Sequence, residues 1–202
     1  MKLVQKNIKR VAIGLLSFLV LIILLFLTVN IVAGRGEYKR PVTDGWETGY
    51  IFFSVGDSWK SNAVRSITGF KEWELEDSMP SHCGIIIMEK QGPMLVHEST
   101  EEGKIIMESP EQFLNNNGAY IVYALPVPFE TDTVKLRKDI MTMLEQEIPF
   151  DFKFDHHDSS ALYCTEFVVK VFEQNGINQF SDLRDLKYIY PNDILNRCKQ
   201  NK

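Results

Sequence analysis

Hydrophobic and polar positions divide the chain into one long apolar run near its start and a series of shorter periodic segments after it. The run from residue 11 to residue 34, VAIGLLSFLVLIILLFLTVNIVAG, contains no charged residue. A helix of this length rises roughly 36 Å, which is enough to cross a bilayer. The pattern therefore predicts one N-terminal transmembrane helix.

A cleavable signal peptide is the alternative interpretation of this run. The apolar region of such a peptide is normally about 7 to 15 residues long and ends at an A-x-A-like site, which Ile31 and Ala33 fit poorly. We therefore predict that residues 1–34 form an uncleaved membrane anchor. Bases before the run outnumber those after it by four to three, which favours an extracytoplasmic domain; they are Lys2, Lys6, Lys9 and Arg10, against Arg35, Lys39 and Arg40.

After a short polar linker, residues 35–48, the periodic segments predict a small α+β domain over residues 49–202. Helices are predicted at 58–69, 131–147 and 160–175, the last one ending at Asn175-Gly176. Strands are predicted at 49–54, 82–88, 93–99, 103–109 and 119–126. Because turn residues separate the last four strands, these strands are expected to form an antiparallel meander.

Charge and cysteine content exclude several classes of protein. The formal net charge is −5, and subtracting the four bases of the first ten residues leaves −9 on the remainder. A domain this acidic is a poor candidate for binding nucleic acid. Its three cysteines, Cys83, Cys164 and Cys198, form no CxxC pair, so neither a zinc ribbon nor a disulfide framework is indicated.

Cys164 lies in the apolar stripe of the last predicted helix, together with Phe167, Val168, Val171 and Phe172. One interpretation is a small buried hydrophobic side chain. The other depends on its place in or next to the first helical turn, where free N–H groups and the helix dipole favour a thiolate. Position alone leaves both interpretations open.

The four histidines are His82, His97 and the loop pair His156-His157. A cysteine nucleophile needs an imidazole to take its proton and a third polar group to orient that ring, and the two strand histidines supply both. Taken singly, each histidine is more often structural or solvated. A zinc site built from the strand histidines and one loop histidine is a further alternative, but the spacing matches no known ligand signature.

Strand geometry predicts which side chains meet. His82 and Gly84 share one face of their strand, and Cys83 lies on the other. If residues 88–91 form a four-residue hairpin loop, His82 lies directly opposite His97. A loop with an odd number of residues would instead bring Glu98 opposite, so Glu98 is the alternative third residue.

These motifs resemble a known family. SHCGIII, MLVHES and IPFDFKFDHHDSSALYCTEFV, within roughly residues 45–195, are similar to the YiiX/YebB-like branch of the NlpC-type papain-like superfamily, in which the histidine precedes the cysteine. The resemblance implies a permuted papain-like (NlpC-type) domain, with an antiparallel sheet packed by the cysteine helix. The chain departs from the family pattern at Gly49-Tyr50, where Gly-Asp is usual, and at Phe150-Asp151-Phe152, where YDF is usual.

The resemblance also implies roles for individual residues. Cys164 matches the nucleophile, His82 the general base and His97 the third polar residue, while the backbone N–H of Cys164 and a second donor hold the oxyanion. Tyr163 is a candidate for lining the substrate site. Glu166 matches a family acid whose role is either structural or catalytic. Neither a metal nor a cofactor is implied.

The predicted function is that of a membrane-anchored cysteine hydrolase that cleaves amide (peptide) bonds in the cell envelope. Its predicted partners are a peptide or acyl substrate of the envelope and the membrane, through residues 11–34, but no nucleic acid. Two alternatives stay open: a lipid acyl hydrolase or acyltransferase, and a non-catalytic envelope-binding module.

Overall fold

The computed structural model describes residues 2–32, 41–56, 58–68, 79–155, 157–158 and 160–200. The first element, helix α1, spans Lys2–Val32. Among the described residues, no helix has both the length and the apolar character that crossing a membrane requires. This result does not support the transmembrane helix predicted for residues 11–34, which stays a prediction. Residues 33 and 34 lie outside the described residues.

Five strands form one antiparallel sheet in the order β4-β3-β2-β1-β5. Their bounds are Ile51–Gly56 (β1), His82–Glu89 (β2), Gly92–Ser99 (β3), Lys104–Glu108 (β4) and Ala119–Leu125 (β5). Each lies where the sequence predicted a strand. The predicted meander is correct only for β2, β3 and β4, because β5 pairs with β1 at the opposite edge.

Helix α3, Pro110–Asn117, connects β4 to β5, and the sequence analysis missed it. Its start is a capping box, in which Ser109 and Gln112 each accept a hydrogen bond from the other's backbone N–H. It ends at Gly118, whose φ of 58° is left-handed. Phe113 and Leu114 pack against the sheet, and the helix thereby carries the chain away from β4.

The remaining helices are α2, α4, α5 and α6, and a short 3-10 helix precedes α6. They span Trp59–Thr68, Thr133–Glu145, Cys164–Gln174 and Pro191–Lys199, with the 3-10 helix at Ser181–Asp185. Helices α2, α4 and α5 were predicted, but α5 begins at Cys164 and not at residue 160. The 3-10 helix and α6 were not predicted.

Both faces of the sheet are covered. Helix α5 buries its apolar stripe against one face, where Cys83, Ile85, Ile87 and Val96 point towards it. On the other face Phe113 of α3 packs with Phe52, Ile86 and Leu95, and Trp46, from the segment predicted as a linker, joins this second cluster. The sheet is therefore a buried platform, and its functional groups lie at the end where β2 begins and α5 starts.

Candidate active site

Cys164 is the first residue of α5. The preceding residue, Tyr163, is the N-cap, with the extended φ and ψ of −110° and 170°. The N–H groups of the first helical turn have no carbonyl partner inside the helix, and the positive end of the helix dipole lies beside the thiol. As a residue Cys164 is half-buried, whereas Cys83 and Cys198 are buried.

The loop before α5 is held by its own backbone and by Asp151. The N–H of Leu162 donates to the Pro149 carbonyl at 2.9 Å, and the N–H of Asp151 donates to the Leu162 carbonyl at 2.8 Å. The buried carboxylate of Asp151 accepts from the N–H of Lys153 at 2.7 Å. The acid of the FDF motif thus fixes the loop that delivers Cys164.

His82 and His97 are in direct contact, with 3.0 Å between Nε2 of His82 and Nδ1 of His97. The predicted four-residue loop is wrong, since Glu89 pairs with Gly92 across a two-residue turn. The register therefore shifts by two positions, which keeps each side chain on its predicted face. The two rings meet diagonally across the strand pair, a separation that large side chains span.

Gly84 lies on β2, next to His97 of β3, and leaves room for the imidazoles. A Cβ atom there would lie 2.8 Å from Cβ of His97, 2.5 Å from Cε1 of Phe52 and 2.3 Å from the Val96 carbonyl oxygen. Such distances are far inside van der Waals contact. Only glycine therefore fits beside His97 at this position.

The second ring nitrogen of His97 contacts Glu108, which the sequence analysis did not single out. Nε2 of His97 lies 2.9 Å from Oε1 of Glu108. The carboxylate also accepts from Nδ2 of Asn117 at 2.9 Å and from Nδ2 of Asn116 at 2.8 Å. Burial raises the pKa of Glu108, but these three hydrogen bonds together bring it below its usual value, so the group is ionised at neutral pH.

Two phenylalanines enclose the imidazoles. The Phe113 ring lies 5.8 Å from that of His82, nearly parallel to it, and 5.0 Å from that of His97, edge-on. The Phe52 ring meets His97 edge-on at 6.0 Å. These contacts fix the planes of both rings and keep water from the buried His97.

The charge of the site is concentrated on Cys164. A hydrogen bond from the Cys83 side chain, together with the charge and hydrogen bond of His82, holds the pKa of Cys164 well below its usual value, although burial raises it. Burial and the neighbouring Cys164 raise the pKa of Cys83, and burial alone raises the pKa of Cys198 to about 12. The thiolate therefore forms on Cys164, where the helix N-terminus and His82 stabilise it.

The other predicted site residues do not join the contact between the two histidines. Glu98 points away from it, and neither of its carboxyl oxygens has a hydrogen-bond partner among the described residues. Glu166 is buried, which raises its pKa to about 7, and its Oε2 has no hydrogen-bond partner among the described residues. The Tyr163 hydroxyl accepts from the Ile189 N–H at 3.3 Å, which places this ring in the packing behind the helix.

Glu98 gives a test by pH. Burial, with the negative groups of Cys164 and Glu166 nearby, raises the pKa of Glu98 to about 9. The folded protein thus holds a proton that the unfolded chain releases above pH ~4.5, and folding stability falls as the pH rises from there towards 9. Between pH 4.5 and pH 8, the free energy of unfolding of the wild type should fall relative to that of Glu98→Gln by on the order of 3 kcal/mol.

Urea unfolding at pH 4.5 and pH 8 measures this difference. Glu102→Gln is the matched control, because Glu102 is an exposed carboxylate on the turn after the same strand. If the Glu98 and Glu102 variants show the same small change at both pH values, Glu98 is not protonated in the folded state.

The structure describes one of the two loop histidines. His157 is exposed, and His156 lies outside the described residues. Within the described ranges, no three His, Cys, Asp or Glu side chains are grouped so that they could hold a metal ion.

The antiparallel sheet packed by α5, with both strand histidines before Cys164 along the chain, is the arrangement expected of a permuted papain-like cysteine hydrolase. The family described as permuted papain-like amidase enzymes, YaeF/YiiX, C92 family, matches residues 48–193. The chain belongs to this family, which assigns it to the cysteine hydrolases.

The chain was also compared with solved structures and with curated protein sequences. The chain is similar to the crystal structure of the metalloprotein yiiX from Escherichia coli O157:H7, with 21% sequence identity and a TM-score of 0.49. The similarity covers 64% of this chain and 66% of that one, just under two thirds of its length. No curated protein sequence matches the chain.

Proposed function

We propose that the protein hydrolyses amide bonds with Cys164 as nucleophile, His82 as general base and His97 as the residue that orients His82. The observation that carries this proposal is a continuous series of contacts. The Cys164 thiol lies at the N-terminus of α5, where Cys83 and the charge of neighbouring His82 lower its pKa, and His82 contacts His97 at 3.0 Å. Nucleophile, base and orienting group thus follow one another in the order that thiol catalysis requires.

In this mechanism the Cys164 thiolate attacks the carbonyl carbon of the amide. The free backbone N–H of Cys164, at the first position of α5, donates to the oxygen that becomes negative. The protonated His82 then gives its proton to the leaving amine, and a thioester between Cys164 and the acyl group remains. Water deprotonated by His82 hydrolyses the thioester and regenerates the thiol.

Location in the cell envelope is part of the proposal and rests on the sequence. The uncharged run of residues 11–34 is long enough for a membrane anchor, and the bases around it favour an extracytoplasmic domain. Protease added to intact cells should then remove the domain, and membranes washed at high salt should keep the remainder. A domain that stays protected from the protease, or a chain released by the wash, would contradict this location.

A lipid acyl hydrolase or acyltransferase is the second candidate, and exposed aromatic residues favour it. Phe152 and Phe154, in the loop before α5, are 65% and 43% exposed. The Phe154 ring lies 5.4 Å from that of Tyr163, the residue before the nucleophile. Apolar side chains exposed on the loop that leads to Cys164 suit an acyl chain as well as an apolar peptide side chain.

A substrate panel separates the two candidates. Purified full-length protein is incubated with peptides from the cell wall and, separately, with acylated lipids, and newly released amines and fatty acids are quantified. We expect amines from the wall peptides. Products from the lipids alone would replace the peptidase with the lipid hydrolase, and products from neither set would contradict both.

A further inference from the structure

Glu108 ends the series of contacts that begins at Cys164. It lies on β4, pairs with Leu95, and is two residues from Ile106, the partner of His97. Its carboxylate is buried, and besides His97 it contacts the two asparagines of α3 described above. Both asparagines donate hydrogen bonds to it, which is the pattern expected around an ionised acceptor.

We propose that Glu108 is a positioning residue that acts through His97 to fix the tautomer of His82. This inference rests on the proposed cysteine nucleophile and adds a residue that neither the family resemblance nor the sequence pattern indicated.

The tautomers follow from the carboxylate. Because ionised Glu108 only accepts, Nε2 of His97 must carry a proton. Burial lowers the pKa of His97 by more than the hydrogen bond to Glu108 raises it, so the ring is neutral and its Nδ1 is unprotonated. Nδ1 of His97 therefore accepts, and Nε2 of His82, 3.0 Å away, donates.

The proton on Nε2 of His82 determines the state of the other ring nitrogen, Nδ1. Since a neutral imidazole carries one proton, a proton on Nε2 leaves Nδ1 of His82 free. Nε2 is occupied by His97, so Nδ1 is the nitrogen available to the Cys164 thiol. Glu108 thus keeps the general base ready to accept a proton, and its negative charge, transmitted through His97, stabilises the imidazolium that forms.

Without Glu108 a competing arrangement opens. Nδ1 of His97 also lies 3.3 Å from the backbone carbonyl oxygen of Glu98. A neutral His97 whose Nε2 has lost its acceptor can place its proton on Nδ1 and donate to that carbonyl. Nε2 of His82 then faces the N–H donor of His97, so the proton of His82 moves from Nε2 to Nδ1 of the same ring. Nδ1 of His82, the nitrogen available to Cys164, is then protonated and can no longer act as a base.

Nitrogen NMR tests the tautomers without any substrate. The chain has four histidines, and His82 and His97 are assigned by substitution in ¹⁵N-histidine-labelled Cys164→Ala protein at a pH where both rings are neutral. We expect Nε2–H tautomers for both rings, and a shift of His97 towards Nδ1–H in Glu108→Leu. Unchanged tautomers in a folded Glu108→Leu protein would overturn the inference.

Alkylation of Cys164 gives a second readout, with Glu108→Gln as a variant of nearly the same shape. We expect its iodoacetamide rate at pH 7 to fall by about 10-fold or more, with the pH profile shifted upwards, whereas the exposed-residue control Glu102→Gln reacts like the wild type. In a His97→Asn background, Glu108→Gln should cause no further loss. An additive loss would mean that Glu108 acts on the fold and not through His97.

These experiments are independent of the substrate. A protein with no amidase activity but with the expected tautomers and alkylation rates would contradict the proposed function and leave the role of Glu108 intact. The reverse result, amidase activity with wild-type alkylation in Glu108→Gln, would contradict the role of Glu108 alone.

Discussion

Cys164→Ala should abolish hydrolysis of the true substrate, with a loss of at least about 10⁴-fold in kcat. The substitution removes the only sulfur that the helix N-terminus and His82 hold as a thiolate, and no neighbouring group forms the covalent intermediate in its place. The helix that carries it is stabilised by the burial of Phe167 and Phe172, so the variant should remain folded. Initial rates with the substrate identified from the panel measure the effect.

Cys198→Ala is the matched control for this prediction. Cys198 lies in α6, is buried, and has a pKa raised by that burial, so its thiol is neutral and inert at neutral pH. We expect this variant to keep the wild-type rate wherever it is folded. Activity that survives in Cys164→Ala would show that another group is the nucleophile.

His82→Gln should slow both hydrolysis and alkylation of Cys164. Loss of a general base typically costs about 100- to 10⁴-fold in rate. Because the charge and the hydrogen bond of His82 both lower the pKa of Cys164, their removal raises that pKa, and a smaller fraction of the thiol is ionised at pH 7. The pH profile of iodoacetamide labelling, followed by peptide mass spectrometry, should shift to higher pH.

The exposed histidine of the loop serves as the control for His82. His157→Gln removes an exposed imidazole from the loop before α5, and we expect it to leave the labelling of Cys164 unchanged. Labelling of Cys83, Cys164 and Cys198 at equal rates in the folded wild type would contradict the assignment of the nucleophile.

Local patterns were sufficient to predict the strands but not their order. Residues 82–88 and 93–99 alternate or are β-branched, and such segments form strands wherever they pair. The position of β5 beside β1 depends on contacts between residues far apart in the chain and on helix α3. The NNNG segment, residues 115–118, was interpreted as a turn, and α3 was therefore missed. The capping box at Ser109 and Gln112, with Pro110 after the cap, was the signal that predicts this helix.

The candidate site shows the same division. His97 was preferred to Glu98 because a four-residue hairpin loop was expected. The observed turn has two residues, which is also an even number, so the error of two in the register left the same side chains on each face. Glu108 was missed because its contact with His97 requires the β3–β4 register, and its contacts with Asn116 and Asn117 require α3. If His97 orients His82 through one ring nitrogen, the other ring nitrogen of His97 needs an acceptor. This was the available sign that a further polar residue belongs to the site.

The division of the site between two stretches of chain has a consequence for its assembly. His82, His97, Glu108 and the asparagines of α3 all lie within residues 82–117, joined by tight local connections, while Cys164 follows much later. Synthesis proceeds from the N-terminus, so residues 82–117 leave the ribosome before Cys164 does. Contacts between near neighbours in sequence form quickly, so this segment can fold first. The nascent chain thus carries His82 without Cys164, and the two residues meet only when α5 docks.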